Sequence, residues 1–273
     1  MVRRSLLFVP GNNERMIQKA LSKEIQADCI ILDLEDSVPP NEKERARSIV
    51  ASVLAGHRRL KKQIYIRINQ LDSVFFKNDI KFIVNQDKID GIVLPKAEED
   101  VGLVYKETGK KVIPIIETAR GLIKMQEIAK SKGVIALTFG SADLALSLGG
   151  SVEYYDKNTM IRTLIIIVAR AYGLDPIDKV CFNVSNLDVL RTEAIEAKSM
   201  GFSGKLAVHP SQINIINEIF SPTNDEVNWA KKVLDIYEQT TIQKKGAVKL
   251  NGQLIDAVHY KLAKRILDSA GIK

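Results

Sequence analysis

Short apolar runs recur along this chain, and between them apolar positions return every three to four residues. The runs read as strands at Ser5–Val9, Cys29–Leu34, Ile64–Ile68, Gly91–Leu94, Val112–Ile116, Ile135–Phe139, Val180–Val184 and Lys205–Val208. They are near-continuous in apolar character rather than alternating, as expected of parallel strands covered on both faces. The intervening segments have helical periodicity, for example Leu187, Leu190, Ala194 and Ile195 behind an Asn186 N-cap. Eight such strands alternating with helices in 273 residues predict an α/β protein built as a closed (β/α)8 barrel. No Gly/Ser linker divides the chain, so residues 1–222 are expected to form the barrel core and 223–273 a C-terminal helical extension within the same structural unit. Two features exceed a minimal barrel. The stretch 149–158 delays the helix after strand six. Beyond Pro222 come a helix near Asp225–Gln239, then Lys244-Lys-Gly246, then a segment from Val248 onward, together suited to a lid or subunit-contact arm.

The polar residues gather where such a barrel places its chemistry, at the C-terminal ends of strands. Strand two ends in Asp33-Leu-Glu-Asp36, strand three in Arg67-Ile-Asn69, and strand four in Pro95-Lys-Ala-Glu98. Strand five ends in Glu117-Thr118, strand six runs into Asp143, strand seven into Asn183, and strand eight into His209-Pro210. Glu117 and Asp143 are hard oxygen ligands on neighbouring strand ends, the donor type that suits Mg²⁺ with water and substrate completing the shell. Each also has a structural reading, as an acid beside or within the first turn of a helix. Arg67 reads either as a salt bridge to Asp33 or Glu35, or as a fixed guanidinium for a carboxylate or enolate oxygen. Lys96 reads as a Schiff-base nucleophile or, with Glu98 close by, as an ion pair; His209 reads as a structural hydrogen-bonder. Gly140-Ser-Ala-Asp143 is a strand–glycine turn–helix junction whose backbone amides (Gly140, Ser141, Ala142) suit a substrate carboxylate.

Composition narrows the classes. The net charge is +7, yet there is no arginine-rich helix or aromatic-interleaved basic stripe, so nucleic acid is not expected as a partner. Arg58-Arg59 and Lys61-Lys62 flank the start of strand three and read as solvated. No apolar run approaches the length of a membrane span, and Leu6-Leu-Phe-Val9 is too short for a signal peptide. The two cysteines, Cys29 and Cys181, lie in predicted strands without metal-type spacing and read as buried free thiols of a cytoplasmic protein.

The ordered motifs resemble the citrate lyase β-subunit-like proteins of the HpcH/HpaI aldolase superfamily. They are Arg4-Ser-Leu-Leu-Phe-Val-Pro-Gly11, Asp33-Leu-Glu-Asp36, Arg67-Ile-Asn69, Pro95-Lys-Ala-Glu98, Ile116-Glu-Thr118, Gly140-Ser-Ala-Asp-Leu144, Gly201-Phe-Ser-Gly-Lys205 and His209-Pro-Ser-Gln212. The resemblance implies a TIM barrel assembled as trimers or hexamers, Mg²⁺ on Glu117 and Asp143, and Arg67 as a substrate-binding arginine. Leu250-Asn-Gly-Gln-Leu-Ile-Asp256 is similar to the lid motif of malyl-CoA and citramalyl-CoA lyases. That likeness implies Asp256 as an acid/base acting in a neighbouring subunit's site. Ala142 and Ser147 depart from the acids or amides that relatives often carry there. The implied activity is reversible cleavage of a 3-hydroxyacyl-CoA thioester (citryl-, malyl- or citramalyl-CoA type) to an acyl-CoA and a 2-oxo acid. The alternatives are a class II aldolase on free 2-oxo acids, a Schiff-base aldolase using Lys96, and a non-catalytic citrate lyase β-like subunit.

Overall fold

The computed structural model describes residues 2–57, 60–242, 248–250 and 253–272. Arg58-Arg59, Lys244-Lys-Gly246 and the Asn251-Gly252 step of the lid motif lie outside the described residues. The chain divides into two compact units, Arg3–Asn217 and Glu218–Lys273. The sequence pattern places the division at residue 222, a few residues further on, with both parts expected in one structural unit.

The first unit runs β1 (Ser5–Pro10), α1 (Glu14–Leu21), β2 (Cys29–Asp33), α2 (Lys43–Gly56), β3 (Gln63–Arg67), α3 (Phe76–Val84), β4 (Gly91–Leu94), α4 (Val101–Thr108), β5 (Lys111–Ile116) and α5 (Ala119–Lys130). It continues through β6 (Ala136–Phe139), α6 (Ser141–Leu148), α7 (Val152–Asp156), α8 (Thr159–Ala171), β7 (Asp175–Asp178), α9 (Leu187–Met200), β8 (Gly204–Ala207) and into α10 (Ile213–Phe220). The eight strands close into one parallel barrel in sequence order, with β8 returning to pair with β1. The expected fold is therefore observed. The barrel is filled by inward side chains from successive strands, among them Leu6, Ile31, Tyr65, Val93, Ile113, Ile177 and Leu206. Local chemistry sets the helix ends. Asn13, Thr118, Asn158 and Asn186 each accept a first-turn amide as N-caps. Gly201 closes α9 at φ 111°, a left-handed turn that a side chain would oppose. The delay at 149–158 contains the short helix α7.

The seventh strand corrects the sequence reading. It is Asp175-Pro-Ile-Asp178, not Val180–Val184, and Cys181 and Asn183 therefore lie beyond its end. Only Ile177 of this strand joins the barrel core. Asp175 pairs with Arg3 at 2.8 Å, and the fully buried Asp178 pairs with the fully buried Lys205 at 2.6 Å. Charges satisfied by distant partners hide the strand from any hydrophobic pattern. Val180, the first residue of the predicted run, instead packs against the barrel core from beyond the strand.

Lys62 is also more than solvated. Its ammonium donates to the Ala20 and Ser22 carbonyls at 2.6 Å each, tying the C-terminal end of α1, and burial lowers its pKa to about 8.

The second unit contains α11 (Asn224–Ile242), a two-stranded antiparallel ladder of β9 (Val248–Leu250) and β10 (Gln253–Ile255), and α12 (Ala257–Ser269). Its own core joins Ala230 and Val233 of α11 to Ile255, Ala263 and Leu267, with Tyr237 and Tyr260 ring centroids 4.9 Å apart.

Candidate active site

The C-terminal strand ends of the first unit open on a cavity of about 480 Å³. Arg67, Glu117, Gly140, Ser141, Ala142 and Asp143 all line it, so the fold gathers six residues nominated from sequence at one mouth. The seventh, Asp256, belongs to the second unit, where it is the N-cap of α12. There it accepts from the Val258 and His259 amides and bonds His259 Nδ1 at 2.8 Å. These bonds, the imidazole first, hold its carboxyl below the usual range.

Arg67 ends β3 in register with Asp33 at the end of β2. Its Nε donates to Asp33 Oδ1 at 2.7 Å and its Nη2 to Oδ2 at 2.6 Å, a bidentate fork. Nη1 lies 3.1 Å from Glu35 Oε2, and the guanidinium sits 4.9 Å from the Phe8 ring centroid. Burial alone would raise the Asp33 carboxyl, but Arg67 and the amides of Ser37 and Glu35 hold it below its ordinary value. The two readings of Arg67 are thus compatible: the salt bridge is what fixes the guanidinium at the cavity wall.

Glu117 follows β5 and is buried. Thr118 supplies the cap of α5, accepting from the Gly121 amide at 3.0 Å, so Glu117 is not needed as that cap. One carboxylate oxygen, Oε1, accepts from the Lys96 amide at 2.7 Å. The other lies so close to Gly140 that a Cβ there would approach it to 2.3 Å. Gly140 has ordinary extended dihedrals, so its lack of a side chain serves the carboxylate, not the turn. Burial, then the neighbouring Glu35 and Asp143, pushes the Glu117 carboxyl up to about 8. Asp143 lies in the first turn of α6 and also faces the cavity.

The α6 start differs in detail from expectation. The Gly140 amide is committed to the Ile116 carbonyl at 3.2 Å. Ser141 and Ala142 supply first-turn amides that no intrahelical bond can satisfy. The Ser141 hydroxyl turns to Asp156 Oδ1 at 2.8 Å, and Asp156 is in turn paired with the buried Lys179 at 2.9 Å. Ser147 Oγ accepts from the Ala119 amide at 2.9 Å, tying the start of α5 to α6.

Lys96 does form an ion pair, but not with Glu98. Its Nζ is 2.9 Å from Glu35 and 3.7 Å from Asp143, while Glu98 accepts from Thr118 Oγ1 and pairs with Arg120. In a barrel mouth, residues on other strand ends come closer than neighbours in the chain. His209 is a cap: its Nδ1 accepts from the Ser211 amide at the short helical turn after β8. Sequence reasoning also passed over Lys43, whose ammonium donates to the Leu34 and Glu35 carbonyls at 2.7 Å each. Its position nine residues after Leu34 carries no local signal of that reach.

Among the described residues no group of three or more His, Cys, Asp or Glu is assembled for a metal. Glu117 and Asp143 therefore offer two carboxylates, with water and substrate left to complete an octahedral shell, a donor set that fits Mg²⁺. The raised Glu117 carboxyl fits the same reading, because a cation beside it would favour its ionised form. Cys29 and Cys181 are buried and unbridged.

A closed barrel with acids, an arginine and a glycine–helix junction at its C-terminal mouth has the layout of a TIM-barrel enzyme's active site. Residues 4–210 match the family described as HpcH/HpaI aldolase/citrate lyase, and the chain belongs to that family. It is 30% identical over 292 residues to mitochondrial citramalyl-CoA lyase of Rattus norvegicus, covering 98% of this chain and 86% of that protein. It is 31% identical over 278 residues to (3S)-malyl-CoA thioesterase of Cereibacter sphaeroides, covering 98% and 94%. Its structure is similar to that of CitE from Mycobacterium tuberculosis in complex with magnesium, acetoacetate and coenzyme A. The TM-score is 0.81 at 27% identity, over 99% of this chain and 98% of that one. The chain is a carbon–carbon lyase by this kinship. No described helix is long and apolar enough to cross a membrane.

Proposed function

We propose that this enzyme cleaves, and in reverse forms, the carbon–carbon bond between an acyl-CoA and a 2-oxo acid in a 3-hydroxyacyl-CoA thioester, with Mg²⁺ as cofactor. One observation carries the reading: Glu117, Asp143, Arg67 and the α6 start line a single cavity. The magnesium, acetoacetate and coenzyme A held by the CitE relative supply the ligand chemistry. Glu117 and Asp143 hold the metal, which when bound supplies Lewis-acid stabilisation of oxygen charge. The Ser141 and Ala142 amides receive the oxo-acid carboxylate. Arg67, locked by Asp33, directs its uncommitted N–H groups at the oxygen on which negative charge develops. Asp256 of a neighbouring subunit serves as acid/base at the acyl α-carbon, and His259, which now holds its carboxyl below the usual range, must release it for that role. A homo-oligomer, trimer or hexamer, is part of this reading. Exposed Ile123, Leu146, Met160 and Ile167, on α5 and on the helices α6 and α8 that each pack against it, offer such an assembly apolar surface to cover. A cytoplasmic setting agrees with two unbridged thiols.

The test is a panel of citryl-, malyl- and citramalyl-CoA with Mg²⁺ or EDTA, following oxo-acid and acyl-CoA release together, and free CoA separately. Paired release that stops in EDTA and falls by orders of magnitude in Asp256→Asn is expected. Free CoA without oxo acid would show a thioesterase, turnover of free oxo acids alone an aldolase, and turnover unaffected by EDTA would remove the metal. Borohydride trapping on Lys96 would show a Schiff-base enzyme. No turnover of any kind would favour a non-catalytic subunit.

A further inference from the structure

Lys96 lies at the centre of the carboxylates yet has no part in the chemistry just described. Its backbone is left-handed, φ 45°, a conformation that non-glycine residues rarely adopt. From that turn its amide reaches Glu117 Oε1 at 2.7 Å, and its ammonium reaches Glu35 Oε1 at 2.9 Å and Asp143 Oδ1 at 3.7 Å. Glu35 is buried, and its Oε2 has no hydrogen-bond partner, only the proximity of Arg67 Nη1 at 3.1 Å. Unlike Asp33 and Asp36 beside it, Glu35 does not line the 480 Å³ cavity. Three carboxylates thus converge on one region, and only two of them face the space where a substrate would sit.

Resting on the metal reading above, we propose that Lys96 is a positioning residue that limits the cation site to two carboxylates. Its amide fixes which oxygen of Glu117 faces the cavity, and its ammonium anchors Glu35 outside the metal's reach while standing as a competing positive charge beside Asp143. A third carboxylate would bind a divalent ion more tightly. It would also neutralise the ion's charge and occupy a coordination position the substrate needs. The lysine thus trades affinity for an electrophilic, open metal site.

Two substitutions in the full chain separate this role from a structural one. Lys96→Asn keeps the amide and suits a left-handed backbone, because Asn tolerates that region, but it removes the ammonium. Mn²⁺ binding is followed by titration calorimetry and by electron paramagnetic resonance, with water-proton relaxation counting the waters on bound Mn²⁺. Lys96→Asn is expected to bind Mn²⁺ roughly tenfold more tightly or better, as loss of an adjacent like charge requires, with fewer metal-bound waters and slower turnover. Glu35→Gln is expected to weaken Mn²⁺ binding several-fold, since the released ammonium then pairs with Asp143. It carries the test if Lys96→Asn does not fold. A purely structural lysine would give unchanged or weaker binding in Lys96→Asn, or no effect in Glu35→Gln; either result overturns the proposal and leaves the metal reading standing. Absence of Mn²⁺ binding by the unmodified enzyme would overturn both.

Discussion

Replacing Glu117 by Gln separates the cost of burying an ionised carboxylate from its use. In the folded protein this carboxyl titrates near 8 instead of its ordinary 4.5, because burial and the nearby Glu35 and Asp143 disfavour its charge. A group whose native pKa lies above its unfolded one binds its proton more tightly in the native state. It therefore supports the fold fully below about pH 4.5, and that support is lost as the pH rises through about 8. At 1.36 kcal/mol per pKa unit the difference of about 3.5 amounts to a ceiling of ~5 kcal/mol, and local relaxation reduces what is measured to ~2–5 kcal/mol. Gln keeps the acceptor for the Lys96 amide and removes the charge. In EDTA, urea unfolding at pH 5, 6.5 and 8 should show the parent losing stability with pH. Glu117→Gln should retain only the shallower slope of Glu35, whose carboxyl burial also raises. At pH 8 the variant should be the more stable protein. Adding Mg²⁺ should stabilise the parent and not the variant, and activity should follow the opposite order, lost in Glu117→Gln. A variant no more stable than the parent at pH 8 without metal, or a parent whose stability is flat across this range, would refute the reasoning.

Two further outcomes follow from the geometry. Gly140→Ala places a Cβ 2.3 Å from Glu117 Oε2 at a backbone position any residue can adopt. It should leave the circular dichroism spectrum intact while lowering kcat/KM at least tenfold, roughly the effect of displacing a catalytic group slightly; parent-like kinetics would show that the carboxylate has room to move. Lys205→Met removes the fully buried partner of Asp178, 2.6 Å away, and should cost ~3–5 kcal/mol in urea unfolding, as broken buried ion pairs do. Lys205 does not line the cavity, so activity per folded molecule should stay near the parent value.

The contrast between β3 and β7 shows what the sequence can and cannot reveal. Ile64-Tyr-Ile66 is buried by its own apolar side chains, so β3 appears in the pattern of the chain before any partner is known. In Asp175-Pro-Ile-Asp178 the half-buried first acid is neutralised by Arg3 and the buried last one by Lys205 and Arg162. Those partners come from β8, α8 and the residues before β1, and only closure of the barrel brings them to the strand. The run at Val180, by contrast, is apolar because it borders the cavity, and apolar character at a strand end mimics the strand itself.

The candidate site divides along the same line. The residue types lining the cavity were legible because chemistry favours them there: carboxylates suit a hard cation, and a fixed guanidinium suits an oxyanion. Their pairings were not. Lys96 passes over Glu98, two residues away, for Glu35 and Asp143, and Arg67 takes Asp33 through strand register. A site residue's partner is a property of the neighbouring strand, and its identity decides function here. Glu35 is held by Lys96 from the next strand end but one, a pairing that no local pattern around Glu35 announces. Substrate choice among CoA thioesters belongs to this second level too, since it depends on how residues such as Phe8, Val180 and Phe182 shape the cavity wall between those fixed charges.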